Sequence, residues 1–324
     1  MELDRSGVTY SEDTLAALRE QYPKAELFFI IGADQLCELH NWRGLERLLG
    51  QCGFLVCPRR VDTGAAEYMA EYRRLAGLGA RLTSIPMESV NISSTQAREA
   101  IRCHTPCDLL SPAVREYAEI TGLYGTSARI PEAAEWLPKL FHDLTAKRFS
   151  HTLAVAYTAR SLALHHDVDP LKAERAALLH DCAKCFPLEE MQRICTESGK
   201  PVDPSLMDSG SLLHSVAGSI LAESAYGVHD PEILRAIACH TTGRVGMTRL
   251  DMVVYLADKI EPTRASYPLL DRVRMLSLAS LEKAMLASME GTASYVTKKG
   301  GKPLHPQTNA TIAWLKTLPE TASK

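Results

Sequence analysis

The apolar run Ala176-Ala177-Leu178-Leu179 ends in the dipeptide His180-Asp181. An ionised aspartate next to such a run is costly to bury unless something compensates its charge. A bound cation would do so, and further residues of suitable chemistry recur at helical spacing. His151, Val155, Ala159 and Leu162 stand at i, i+4, i+8 and i+11; His214, Ala217, Gly218 and Leu221 stand at i, i+3, i+4 and i+7. Ile233, Ile237 and His240 share a stripe on a helix opened by Asp230 as N-cap and Pro231 at its first position. Val254 and Asp258 are four residues apart. Each of these residues falls on the apolar stripe of an expected helix and is therefore aimed inward. Taken singly, each reads as well as a core histidine or a capping aspartate. Six of them in one all-helical stretch point to a shared ligand.

Four imidazoles and two carboxylates without thiolate make a mixed nitrogen and oxygen donor set. Iron, manganese or cobalt suit it, zinc is acceptable, and calcium would want more oxygen. Six ligands exceed what one tetrahedral ion with an open position needs. The expectation is two divalent ions bridged by Asp181, which would activate water near neutral pH and bind phosphate oxygens. Lys184, three residues after Asp181, and Arg244 and Arg264, which follow His240 and Asp258, are the candidate phosphate contacts. The alternative for each is solvated surface charge.

The order His151, His180-Asp181, His214, His240, Asp258 resembles that of the HD-domain metal-dependent phosphohydrolases. The segments Arg148-Phe149-Ser150-His151, Leu179-His180-Asp181-Cys182-Ala183-Lys184, His240-Thr241-Thr242-Gly243-Arg244 and Tyr255-Leu256-Ala257-Asp258-Lys259-Ile260-Glu261-Pro262-Thr263-Arg264 narrow the resemblance. They are similar to one bacterial subfamily, the symmetrical diadenosine tetraphosphate hydrolases, from about Phe141 to Leu304-His305-Pro306. The resemblance implies a helical bundle, a dinuclear centre that favours iron, and cleavage within the phosphate bridge to release two ADP.

The preceding part reads as α/β. Leu27 to Ile31 is a continuous apolar run, as for a strand buried on both faces of a parallel sheet. It ends at Gly32-Ala33-Asp34, and a helix is expected from there to about Leu49. Phe54 to Cys57, stopped by Pro58, and Arg81 to Ile85 are the next strands. Ser11 or Asp13 is the expected cap of the first helix, and Ser111-Pro112 opens a helix ending at Gly122. Parallel strands place ligands at their carboxyl ends, and a hydroxyl-rich helix start such as Ser93-Ser94-Thr95 suits phosphate, although capping alone would explain it.

Arg5-Ser6-Gly7-Val8-Thr9-Tyr10-Ser11-Glu12-Asp13-Thr14, Phe29-Ile30-Ile31-Gly32-Ala33-Asp34, Asn41-Trp42 and Ile92-Ser93-Ser94-Thr95-Gln96-Ala97-Arg98 resemble bacterial nicotinate-nucleotide adenylyltransferase, over roughly residues 1 to 124. The resemblance implies that Ser93, Ser94, Thr95 and Arg98 hold ATP phosphates, that Trp42 lies against the nicotinate ring, and that Asp34 lines the nucleotide cleft. ATP, nicotinate mononucleotide and magnesium would be its partners. The family's H-x-G-H motif does not occur in the chain, so weak nucleotide binding without adenylyl transfer is expected of this polypeptide. The strand Leu27–Ile31 would then have an apolar edge without the family's neighbouring strand, which invites a homodimer.

These readings make residues 1–125 an incomplete, Rossmann-like nucleotidyltransferase module and residues 131–324 an all-α HD-domain bundle. The alternative function is NAD biosynthesis with a regulatory helical half. A net charge of −3 gives no electrostatic case for nucleic acid or an anionic membrane. No run is long enough to span a bilayer and no signal peptide is visible. Nine cysteines, several within apolar runs, fit reduced thiols and a cytoplasmic location. Met285 and Met289 read as core, and Lys298-Lys299-Gly300-Gly301-Lys302 as a solvated turn.

Overall fold

A computed structural model describes residues 7–57, 65–87, 93–108, 110–298 and 303–319. Arg5, Ser6, Pro58, Ile92 and the turn 299–302 lie outside the described residues. The chain forms two compact units, Met1–Ser94 and Thr95–Lys324.

In the first unit, α1 (Ser11–Gln21) precedes β1 (Phe28–Gly32), α2 (Ala33–Glu38), α3 (Leu45–Gln51), β2 (Gly53–Cys57), α4 (Ala65–Gly77) and β3 (Leu82–Ser84). The strands form a parallel sheet in the order β1-β2-β3, with Phe28 opposite Gly53 and Phe54 opposite Leu82. Leu36, Leu39, Leu48, Phe54 and Leu75 make its core.

Three local expectations are corrected. Strand β1 is not buried on both faces: Phe29 and Ile31 face the core, while Phe28 and Ile30 are exposed. Its second face lacks a covering layer among the described residues. The helix expected to run to Leu49 is broken after Asn41, because Gly44 takes a left-handed φ of 68°. A Cβ there would collide with the Glu12 carboxylate. Helix α1 is entered from Tyr10 without a side-chain cap, so Ser11 is its first residue.

In the second unit follow α5 (Ser94–Arg102, with the division at its first residue), α6 (Pro112–Thr121), α7 (Ala133–Asp143), α8 (Ala146–His165), α9 (Pro170–Leu179), α10 (Leu188–Glu197), α11 (Gly210–Ser224), α12 (Pro231–Cys239), α13 (Arg249–Ile260), α14 (Pro268–Ala279), α15 (Leu281–Lys298) and α16 (Pro306–Leu315). Ser111, Asp230 and His305 cap α6, α12 and α16, each with proline at the first helical position. One core runs through α7, α8, α9, α12, α13 and α15, with Met285 and Met289 fully buried in it.

The units divide at 94/95, whereas the sequence suggests a boundary near 125–131. Residues 112–129 join the helical core because Arg129 is clasped by Glu116 at 2.7 Å and by Glu174 of α9 at 2.6 Å, with Glu119 also paired to it. Ala113 and Ile120 pack in the same core.

Candidate metal centre

His151 lies inside α8, His214 inside α11 and Asp258 inside α13. His180 and His240 do not lie within helices as the stripes suggest; they cap the C-terminal ends of α9 and α12, and Asp181 follows in a turn. This placement has a use. The last carbonyls of a helix have no partner within it. His180 Nδ1 meets the Ala177 carbonyl at 2.6 Å, and His240 Nδ1 meets that of Ile237 at 2.7 Å. His214 Nδ1 meets the Gly210 carbonyl at 3.2 Å, and His151 Nδ1 meets Glu261 Oε1 at 3.1 Å. At His180 and His240 the carbonyl holds the ring proton at Nδ1, a tautomer assigned from these partners. His151 and His214 have polar partners at both nitrogens, and ligation through Nε2 would require the same tautomer there. The Nε2 lone pairs are left facing one centre, the usual arrangement of metal-ligating imidazoles.

Asp181 Oδ1 is 3.1 Å from His214 Nε2 and 3.6 Å from His240 Nε2, and its Oδ2 is 3.4 Å from His180 Nε2. Asp258 Oδ1 is 3.1 Å from His151 Nε2 and 3.9 Å from His180 Nε2. Two trios result, His151, His180 and Asp258, and His180, Asp181 and His240, each with its donor atoms within 4.8 Å of one another. All six expected residues therefore converge.

The residues fit a divalent cation on their own evidence. His180 Nε2 is buried without a hydrogen-bond partner, a state that native structures rarely leave unexplained. His214 Nε2 and His240 Nε2 face each other at 3.2 Å. Two lone pairs in that position repel unless a cation or a proton lies between them. Burial pushes His240 down to about 4, keeping it neutral as ligation requires. Burial opposes ionisation of Asp181 too, but positive charge at the facing His180, with N–H donation from His180, His214 and His240, would outweigh it and hold the acid well below its ordinary range, a place a bound cation would take. Asp258 is likewise held low against its burial by Lys259 and His151. For His151 the balance runs the other way: burial is outweighed by Asp258 and Glu261, which raise it.

Cations surround the carboxylates. Arg148 Nη1 is 2.8 Å from Asp181 Oδ2, Lys259 Nζ is 2.9 Å from Asp258 Oδ2, and Arg264 Nη2 is 2.9 Å from Asp258 Oδ1. Lys184 sits in the turn after Asp181, with Nζ 3.2 Å from both ring nitrogens of His214; burial lowers its pKa. A cavity of about 610 Å³ opens onto His151, lined among others by Thr145, Lys147, Arg148, Thr263 and Arg264. Arg244 instead points to Asp251, the buried carboxylate that caps α13, at 3.2 Å. That acid also holds Arg235 at 3.2 Å.

Arg148, Glu261 and Lys259 carry geometry that the sequence reading did not assign to them. The available signal was spacing, since Arg148 precedes His151 by three residues and Glu261 follows Asp258 by three, positions that share a helical face.

In the first unit, Asp34 lies in the first turn of α2, at the carboxyl end of β1. Trp42 stands edge-on to Phe29 at 5.7 Å and packs on the core. Ser93 precedes α5, and Ser94 is its exposed first residue. Thr95 and Arg98, both exposed, belong to the second unit.

Residues 148–263 match the HD domain family. The chain is 42% identical over 174 residues to the symmetrical bis(5′-nucleosyl)-tetraphosphatase of Bacillus subtilis, covering 53% of this chain and 91% of that protein. It is 29% identical over 286 residues to a Mycoplasma genitalium protein described as a probable nicotinate-nucleotide adenylyltransferase/Ap4A hydrolase, covering 87% of this chain and 74% of that one. A crystal structure from Clostridium acetobutylicum, described as that of a predicted HD superfamily hydrolase involved in NAD metabolism, superposes with a TM-score of 0.55 at 38% identity, over 57% of this chain and 96% of that one. With its buried histidine and aspartate cluster on a helical scaffold, the chain belongs to the HD-domain hydrolase family that includes the symmetrical bis(5′-nucleosyl)-tetraphosphatases.

Proposed function

We propose that the helical unit hydrolyses diadenosine tetraphosphate to two ADP at a dinuclear centre. Its ligands in this reading would be His151, His180, Asp181, His214, His240 and Asp258, with Asp181 the carboxylate shared by both ions and iron the metal. The observation that carries it is the orphaned His180 Nε2, common to both trios, beside a cavity lined by Arg148 and Arg264.

Bound divalent ions supply Lewis acidity and a nucleophile near neutral pH. The chain's own residues do the rest. Carbonyls at helix ends and Glu261 fix the imidazole tautomers. Arg148 and Arg264 are charged donors next to Asp181 and Asp258, suited to phosphate oxygens on the cavity side. Lys184 adds a half-buried ammonium opposite His214. Arg244 joins this set only by leaving Asp251.

The test is metal analysis of the purified protein combined with mass spectrometry of the products from diadenosine tetraphosphate. Two ions per chain and ADP as the sole nucleotide product are expected. ATP plus AMP, or turnover without bound metal, would overturn the reading.

The similarity to the two-function Mycoplasma protein favours a second, separate reading for residues 1–125. We infer a nucleotide-binding module related to nicotinate-nucleotide adenylyltransferase, using Asp34, Trp42, Ser93, Ser94, Thr95 and Arg98 toward ATP or nicotinate mononucleotide with magnesium. Residues 131–324 then form the hydrolase module. No helix among the described residues is long and apolar enough to cross a membrane, and a cytoplasmic location accords with nine free cysteines.

A further inference from the structure

We propose that a second cavity, between α13, α14 and α15, receives the aromatic base of the nucleotide substrate. The proposal rests on the phosphohydrolase reading above and adds where the uncharged end of the substrate goes.

The cavity measures about 450 Å³ and shares Arg264 and Tyr267 with the cavity that opens onto His151. Lining chemistry changes across those two residues. On the His151 side stand Thr145, Lys147, Arg148 and Thr263, hydroxyls and cations suited to a polyanion. On the far side stand Leu269, Leu270, Val273 and Tyr295, with aliphatic hydroxyls from Ser288 and Thr292. Lys259 also lines this side, and its Nζ reaches Asp258 at 2.9 Å, so the apolar recess is one side chain from the metal centre.

A nucleoside polyphosphate is a flat aromatic heterocycle joined through a sugar to a chain of charges. Such a ligand needs an apolar, aromatic-walled recess beside a cationic one, at a separation of a few ångströms. The recess has the size usual for small-molecule sites, roughly 300–1,000 Å³. Tyr267 and Tyr295 are both more than half exposed on its walls, and an aromatic side chain beside an ionic site is a surface on which a base stacks. The recess is also shaped by backbone. A Cβ at Gly291 would strike the Leu269 side chain, so glycine there lets Leu269 lie against α15 and form the floor.

The experiment uses the full chain with its metal. Thr292→Trp fills the recess, and Tyr267→Ala removes one wall from an exposed position that the core does not depend on. Calorimetric affinities for ADP and for inorganic pyrophosphate are compared, together with KM for diadenosine tetraphosphate and metal content. Both variants should weaken ADP and raise KM about tenfold, the order of one lost base–aromatic stack, while pyrophosphate affinity and metal content stay within about twofold. Equal changes for ADP and pyrophosphate, or no change for ADP in either variant, overturn the subsite. In that event wild-type hydrolysis of diadenosine tetraphosphate still stands by itself. Conversely, ADP binding that is lost in the variants of a protein without hydrolytic activity supports the subsite and removes the hydrolase reading.

Discussion

In the helical unit His180, Asp181, His214 and His240 are at most 3% exposed, whereas at the end of the first unit Ser94 lies at the surface, as do Thr95 and Arg98 just beyond it, and within that unit Trp42 is accounted for by packing and Asp34 is half-buried. Ser94 is exposed, and Trp42 rests edge-on against Phe29. The difference shows which polar residues carry a functional signal. A hydroxyl at an exposed helix start is satisfied by water or by capping, so it needs no ligand. A buried imidazole without a partner does need one. Burial alone is not the signal either. Glu12 of the first unit is buried, and although its Oε2 has no hydrogen-bond partner, Arg47 meets its Oε1 at 2.6 Å and supplies the counter-charge. The Glu116, Glu119 and Glu174 cluster is buried, but Arg129 answers all three. What sets the metal centre apart is that lone pairs face lone pairs.

The strongest test of this contrast is Asp181→Ala. It removes the carboxylate that faces three of the imidazoles, so bound metal and hydrolysis should fall by at least about a hundredfold, the upper end of losses seen for outer-shell partners. Circular dichroism should show the helices intact. Near-wild-type turnover with full metal content would erase the distinction between the two kinds of buried polar group.

Arg129→Met tests the paired case. It leaves the buried Glu116, Glu119 and Glu174 side chains without the guanidinium that pairs with them, and breaking a buried ion pair costs about 3–5 kcal/mol. Chemical denaturation should show a loss of that order, with activity per folded molecule unchanged. A loss under 1 kcal/mol would mean that the cluster is wet and not a clasp.

The same cluster has a pH signature. Burial, then the neighbouring Glu174, holds Glu116 well above its ordinary value of 4.5 despite Arg129. The folded state therefore keeps a proton that the unfolded state has released, and stability from this group is present at low pH and lost as pH rises from about 4.5 through the raised value. Glu116→Gln should flatten the decline in melting temperature as pH rises above 4.5 relative to wild type. Parallel curves would sink this assignment.

Glu261→Gln is a milder probe of the unpaired case. It keeps a group beside His151 Nδ1 but lowers its acceptor strength, so metal affinity should drop about 10–100-fold by titration against a chelator, with the fold unperturbed. The smallest effect is expected in the first unit. Ser94→Ala should leave metal content and hydrolysis within about twofold, and the chain should make no nicotinate adenine dinucleotide from ATP and nicotinate mononucleotide. Turnover on the order of 1 s⁻¹, ordinary for an enzyme, would show that other residues replace the H-x-G-H motif.

Much of the helical unit was legible in the sequence because helical periodicity is local. His151, His214 and Asp258 share stripes with apolar residues that must be buried, and Asp230-Pro231 announces a helix start. The parallel sheet was legible for a similar reason, each strand being a short apolar run. Its burial was not, since whether β1 is covered on one face or two depends on layers that no local pattern specifies. Sequence alone thus determined which six side chains turn inward and which element types carry them. Only the tertiary structure decided that His180 and His240 are aimed by free carbonyls at helix ends, that Arg148 meets Asp181 while Arg244 goes to Asp251, and that residues 112–129 fasten to the helical core through Arg129. Those outcomes rest on pairings between residues distant in the chain, where a charge takes whichever buried partner the packing brings near, and spacing along the sequence carries no record of that choice.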